Sequence, residues 1–208
     1  MQVDTLVLGI GNVLWADEGF GVRAVEALHR GWSFPDSVRL VDGGTQGLYL
    51  LPEVQAARRV LLFDAIDYRL PPGTLRIIRD GDIPSGLSFG KMSPHQSSFQ
   101  EVLSLARLAG AAPSRVALVG VQPEVLADFG GSLSPCVREQ LPQALEAGLA
   151  ILAEWGIAAT PRREPPAEPL CDPSLALELY ESGRPGEDEA CRKGDARILA
   201  RRARAEQS

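Results

Sequence analysis

The chain has 208 residues, 45% of them hydrophobic, and a formal net charge of −6. That length predicts one domain with room for an appendage, and the acidic balance argues against nucleic acid as the main partner. No apolar run approaches a membrane span, the N-terminus leads straight into a strand rather than a signal peptide, and the three widely spaced cysteines (Cys136, Cys171, Cys191) form neither a disulfide framework nor a zinc knuckle, so a cytoplasmic protein is expected.

The first apolar run predicts a buried strand over Thr5–Ile10. It feeds a turn holding four glycines and two acids, Asp17 and Glu18. A Gly-rich strand-to-helix turn is a common site in α/β proteins, but the third glycine of a dinucleotide fingerprint would fall at Leu14, and two carboxylates would repel a pyrophosphate. Asp17 is expected to cap the next helix, with Glu18 in its first turn, and the helix runs to about Arg30 and stops at Gly31. A second strand, Ser37–Val41, is stopped by Asp42-Gly-Gly-Thr-Gln-Gly; Leu48, Leu51 and Val54 then mark a short helix. Arg59–Phe63 is apolar enough for a central strand and ends on Asp64-Ala-Ile-Asp67.

No helix separates that strand from the next, Thr74–Ile78, which therefore pairs antiparallel, since a parallel crossover needs a dozen or more residues. Asp80 to Met92 reads as a loop. Ser93-Pro-His-Gln96 opens a helix with Phe99, Val102, Leu103 and Leu105 as its apolar stripe, and Arg115–Val121 is a fifth strand. Ser134 and Pro135 start a long helix to about Trp155, kinked at Pro142. The pattern divides the chain into residues 1–159 and a charged extension, 160–208, with six of the sixteen prolines. Pro161–Pro173 reads as a linker, helix is expected at 174–182 and 195–206, and the extension is expected to be mobile or peripherally docked.

In an open α/β sheet the ligand crevice lies outside the carboxyl ends of the parallel strands. Glu18, Asp42 and Asp64 follow those ends, and a loop long enough to reach them precedes His95. One histidine with two or three carboxylates suits a divalent metal such as Zn, Ni, Mn or Fe. Each residue also has an ordinary reading: a helix-end carboxylate for Glu18, turn residues for Asp42 and Asp64, and a packed histidine for His95. His29, late in a helix, reads as ordinary, and Cys136 as a plain thiol. No H-E-x-x-H motif is present.

Gly9-Ile-Gly-Asn-Val-Leu-Trp-Ala-Asp-Glu-Gly-Phe-Gly-Val, Asp42-Gly-Gly-Thr-Gln-Gly, Phe63-Asp-Ala-Ile-Asp, Ser93-Pro-His-Gln and Val119-Gly-Val-Gln-Pro-Glu occur in that order. Over residues 1–156 the chain resembles the hydrogenase maturation endopeptidases, in the branch serving membrane-bound uptake hydrogenases. The resemblance implies a three-layer α/β/α sandwich around a twisted, mostly parallel five-stranded sheet. It implies an aspartyl-endopeptidase-like hydrolase that removes a short C-terminal peptide from the nickel-loaded large-subunit precursor of a [NiFe] hydrogenase. By the same resemblance Glu18, Asp64 and His95 are the metal-contacting residues, Asp42 serves activity or recognition of the cleavage site, and the nickel arrives with the substrate. Two rivals are a chaperone that inspects the nickel site without cutting, and a metallohydrolase carrying its own metal.

Overall fold

Alternation of side chains along each strand sends successive residues to opposite faces of a sheet, and a strand that is apolar at every position must be covered on both. In the computed structural model, which describes residues 3–82, 94–126 and 128–183 (without the side chains of 81 and 94–98), this holds for three strands. They are β1 (Thr5–Ile10), β4 (Arg59–Ala65) and β6 (Arg115–Val121), buried along nearly their whole length. Beside them lie β3 (Val38–Gly44) and β5 (Leu75–Arg79), giving the order β3-β1-β4-β6-β5. All neighbours are parallel except β5, which runs antiparallel to β6 at the edge, as its short connection requires. β4 occupies the centre.

Val7, Leu61, Phe63, Val119 and Val121 face α1 (Phe20–Gly31) and α5 (Leu141–Glu154). Leu6, Leu8, Leu62 and Leu118 face α2 (Leu51–Ala56) and α3 (Pro94–Leu108). The result is the expected three-layer sandwich. Burying each of these large side chains contributes about 1.5–3 kcal/mol.

Several boundaries differ from the sequence reading for local reasons. β3 continues through Asp42 to Gly44, and β4 through Asp64 to Ala65, so both aspartates belong to strands rather than to the turns after them. The stripe of α3 is Phe99, Val102, Leu103 and Ala106, while Leu105 is 39% exposed. The long C-terminal helix is broken rather than kinked. α4 (Pro135–Arg138) ends, Gln140 becomes a new N-cap position, and Pro142 sits in the first turn of α5, where its missing N–H leaves no bond unmade.

The extension, up to Gly183, is docked. Thr160–Pro161 (β7) pairs antiparallel with Trp32–Ser33 (β2) just beyond the end of α1. The segment 162–172 lacks regular structure, and α6 (Leu177–Ser182) follows, within the helix expected at 174–182. The second expected helix, 195–206, lies outside the described residues. Among the described residues, no helix is long and apolar enough to cross a membrane.

Candidate active site

The parallel strands β1, β3, β4 and β6 end at Ile10, Gly44, Ala65 and Val121 on one edge, and the Gly-rich turn lies across it. Its glycines let α1 press directly onto the strand ends. A Cβ on Gly21 would stand 2.2 Å from the Phe63 carbonyl oxygen and 2.3 Å from that of Ile10. Gly11 has φ +130, and its Cβ would overlap the Glu18 carbonyl oxygen at 1.7 Å. Close helix–strand packing, not phosphate binding, is the work of these residues.

Asp17 does not cap α1. The cap position is Gly19, with no side-chain bond, and Asp17 lies in the preceding 3-10 turn, Ala16–Gly19. Its carboxylate is completely buried and points across the edge to the loop after β6. There Oδ2 accepts from the backbone N–H groups of Glu124 (2.9 Å) and Val125 (2.8 Å) and from the Ser134 hydroxyl (2.9 Å), while Oδ1 accepts from the Ser134 N–H at 2.7 Å. Ser134 stands at the N-cap position of α4, as expected, but its side chain makes no cap bond and is half of a staple between the first turn and the last loop. Trp15 adds a T-shaped contact to Phe129, ring centroids 5.4 Å apart. The staple fixes Glu18, half-buried in the same turn against β4.

Asp64 and Asp42 share the edge but not the face. Asp64 follows Phe63 on the side of α2 and α3, and is 4% exposed. Beside it is Tyr68. Burial, and next the Asp64 carboxylate, push the Tyr68 phenol well above its ordinary value, with Arg76 opposing them. The Arg76 guanidinium lies 5.5 Å from the ring centroid. Tyr68 fills the space a side chain at Gly120 would take, since a Cβ there would stand 2.4 Å from the phenol oxygen. The loop carrying Tyr68 is held by Gln122, whose Oε1 accepts from the N–H groups of Tyr68 (2.8 Å) and Leu70 (3.2 Å) and whose amide donates to Asp67 at 3.1 Å. Asp67 also accepts from the Arg69 N–H, and these bonds hold its carboxyl below the ordinary aspartate range.

Asp42 pairs with Gly9 and faces α1. Its Oδ1 accepts from the Gly44 N–H at 2.9 Å. Partial burial raises its pKa; the Gly44 bond lowers it, Glu26 raises it and Arg23 lowers it, with burial prevailing. Arg23 and Glu26, both on α1 and almost fully buried, form an ion pair at 3.0 Å. A raised pKa means that folding opposes ionisation of Asp42: the stabilisation it contributes is full below the ordinary aspartate pKa and is lost as pH rises through the folded value. Asp42→Asn keeps the acceptor for Gly44. It is expected to melt at a higher temperature than the parent at pH 7, with the gap closing below about pH 3.8. Paired melts at the two pH values check this.

His95 is the second residue of α3, on the face of the sheet toward which Asp64 points. Its side chain, like those of Ser97 and Ser98, lies outside the described residues, as does Ser93. Among the described residues, no three His, Cys, Asp or Glu side chains are grouped to hold a metal. His29 contacts the extension, its Nε2 lying 2.9 Å from the Glu168 carbonyl oxygen. Cys136 is half-buried near Glu124 and Ser134.

A sequence profile described as hydrogenase maturation protease matches residues 22–151. The chain belongs to the hydrogenase maturation protease family. It is an endopeptidase and a hydrolase, as the resemblance implied. Among its relatives is the hydrogenase expression/formation protein HupM of Azotobacter chroococcum mcd 1, 55% identical over 199 residues, which cover 96% of this chain and 95% of that protein. The hydrogenase 2 maturation protease of Escherichia coli (strain K12) is 44% identical over 158 residues, 76% of this chain and 95% of that protein. The solved structure of the hydrogenase maturating endopeptidase HybD from E. coli superposes with a TM-score of 0.72 at 42% identity, covering 76% of this chain and 98% of the other.

Sequence reasoning missed Tyr68, Gln122 and the Arg23–Glu26 pair. Val119-Gly-Val-Gln-Pro carried a signal for two of them: a glycine and a glutamine at the end of a central strand, where an apolar pair would otherwise serve.

Proposed function

We propose that this maturation protease removes a short C-terminal peptide from the large-subunit precursor of a [NiFe] hydrogenase, in the cytoplasm, after nickel has entered the precursor. Nickel is then cargo of the substrate. Glu18, Asp64 and His95 are the side chains that meet it. The observation that carries this reading is Asp64: a carboxylate buried at the end of the central strand, facing the side on which His95 stands in the first turn of α3. Two carboxylates and one imidazole leave coordination positions open, which thiolates of a cysteine-ligated nickel site in the precursor fill.

Water is the attacking group in this reading. Nickel in the substrate polarises the scissile carbonyl or activates that water. Asp42 approaches from the α1 face, opposite Asp64, which suits it to orient the peptide strand or to accept a proton from the water. Its raised pKa moves it toward the range useful to a general base.

Purified protein incubated with nickel-loaded precursor is expected to shorten it to one new C-terminus, read by mass spectrometry, and to leave nickel-free precursor whole. Equal cleavage without nickel removes the metal from recognition; an unchanged mass under both conditions removes the substrate.

A further inference from the structure

The segment 160–183 climbs α1 from its C-terminus to its N-terminus. It starts at the β2–β7 pair, and the Arg162 N–H donates to the Gly31 carbonyl at 2.8 Å. Glu168 meets His29, and Leu175 meets Arg23, whose Nη1 donates to the Leu175 carbonyl at 2.5 Å. The Arg23 guanidinium also lies 5.6 Å from the centroid of the Tyr180 ring. Glu181 ends the climb, bound to Arg138 and accepting from the Ser132 hydroxyl at 2.5 Å, in the loop that Asp17 staples. The strap therefore joins the helix under Asp42 to the last loop of the edge.

Arg23 is 4% exposed and is held from two elements. Glu26 holds it from α1; Leu175 and Tyr180 hold it from the strap. Cys171 of the strap belongs to the same cluster: burial first, and then the carboxylates of Glu26 and Asp42, push its thiol up to about 11, with Arg23 opposing. A buried cation has a strong, weakly screened field, so its position matters to any carboxylate nearby.

We propose that the strap is a working part of the Asp42 half of the site, with Tyr180 and the Leu175 carbonyl as positioning groups that fix Arg23, and with it the buried Arg23–Glu26 pair, on the helix that Asp42 faces. The inference rests on the substrate reading above. It assigns a role to a segment shared with HupM, whose match covers 96% of this chain, whereas the match to the E. coli hydrogenase 2 protease covers 76%.

The test uses the full chain as wild type, Tyr180→Leu, Arg138→Ala and Arg30→Ala. Tyr180→Leu removes the ring beneath Arg23; Arg138→Ala releases Glu181 without touching the core; Arg30→Ala removes an exposed pair with Glu178 and serves as control. Cleavage of nickel-loaded precursor is followed at saturating substrate, and the Asp42 carboxyl is titrated by carbon-13 NMR. Tyr180→Leu is expected to lower the saturated rate about tenfold, the effect of losing a desolvated cation–π contact, with KM within about twofold. The Asp42 midpoint moves up, because a less firmly held cation opposes its burial less well. Arg138→Ala gives the same changes at about a third of the size, and Arg30→Ala gives neither. If Tyr180→Leu keeps either the wild-type rate or the wild-type midpoint, the inference is overturned; if that variant does not fold, Arg138→Ala decides by the same rule. If wild type leaves the precursor whole, the substrate reading fails, and the NMR midpoint alone decides the strap.

Discussion

Asp17→Ala is expected to destabilise the protein by about 3–5 kcal/mol, the usual result of removing one side of a buried charged network. The carboxylate accepts from three backbone N–H groups and one hydroxyl, all on the loop between Glu124 and Ser134. Alanine leaves those donors facing a cavity, and each unsatisfied group costs about 1–3 kcal/mol. For a chain of this size the melting temperature falls by about 10 °C. Asp17→Asn falls between, because one oxygen remains to accept while the new amide confronts donors. Thermal and urea denaturation measure both. An alanine variant as stable as the parent would show that the staple is replaced by water. Cleavage is expected to fall with stability, because the same bonds hold Glu18 in place.

Asp64→Asn is expected to have the opposite profile. The side chain is nearly isosteric and keeps an acceptor oxygen, so the fold and the melting temperature are expected to hold. Cleavage of nickel-loaded precursor is expected to drop by more than about a hundredfold, since replacing even an outer-sphere partner of a metal costs about 10–100-fold. Normal processing by this variant removes Asp64 from the site. The two variants separate roles that adjacent motifs hide: one acid builds the edge and the other is expected to act there.

Much of the fold was legible because burial leaves a local mark. The apolar runs of β1, β4 and β6 announce strands covered on both faces, and the short link before β5 forces it antiparallel. Helix breaks were less legible. Pro142 reads as a kink until the break before Leu141 shows it starting a second helix. The candidate site was legible as a list of residues near one edge but not as a geometry. Whether Asp42 and Asp64 share a face depends on strand register, and a bulge opposite Gly9 and Ile10 extends β3 past Asp42.

The residues that pattern alone misread are those with distant partners. Asp17 has the spacing of a helix cap, yet its bonds run to residues 107 to 117 positions away. The extension is open in sequence to being mobile or docked, and its contacts with α1 decide for docking: the Leu175 carbonyl and the Tyr180 ring close over a cation there. By itself the sequence determined the strands, the layers, the family and the acids at the carboxyl edge, because periodicity and motif spacing are properties of neighbouring residues. Only the tertiary structure decided which acid pins the turn, which face each aspartate serves and where the extension docks. Those outcomes depend on which buried polar groups find partners when distant segments meet, and a buried charge must be matched wherever in the chain its partner lies.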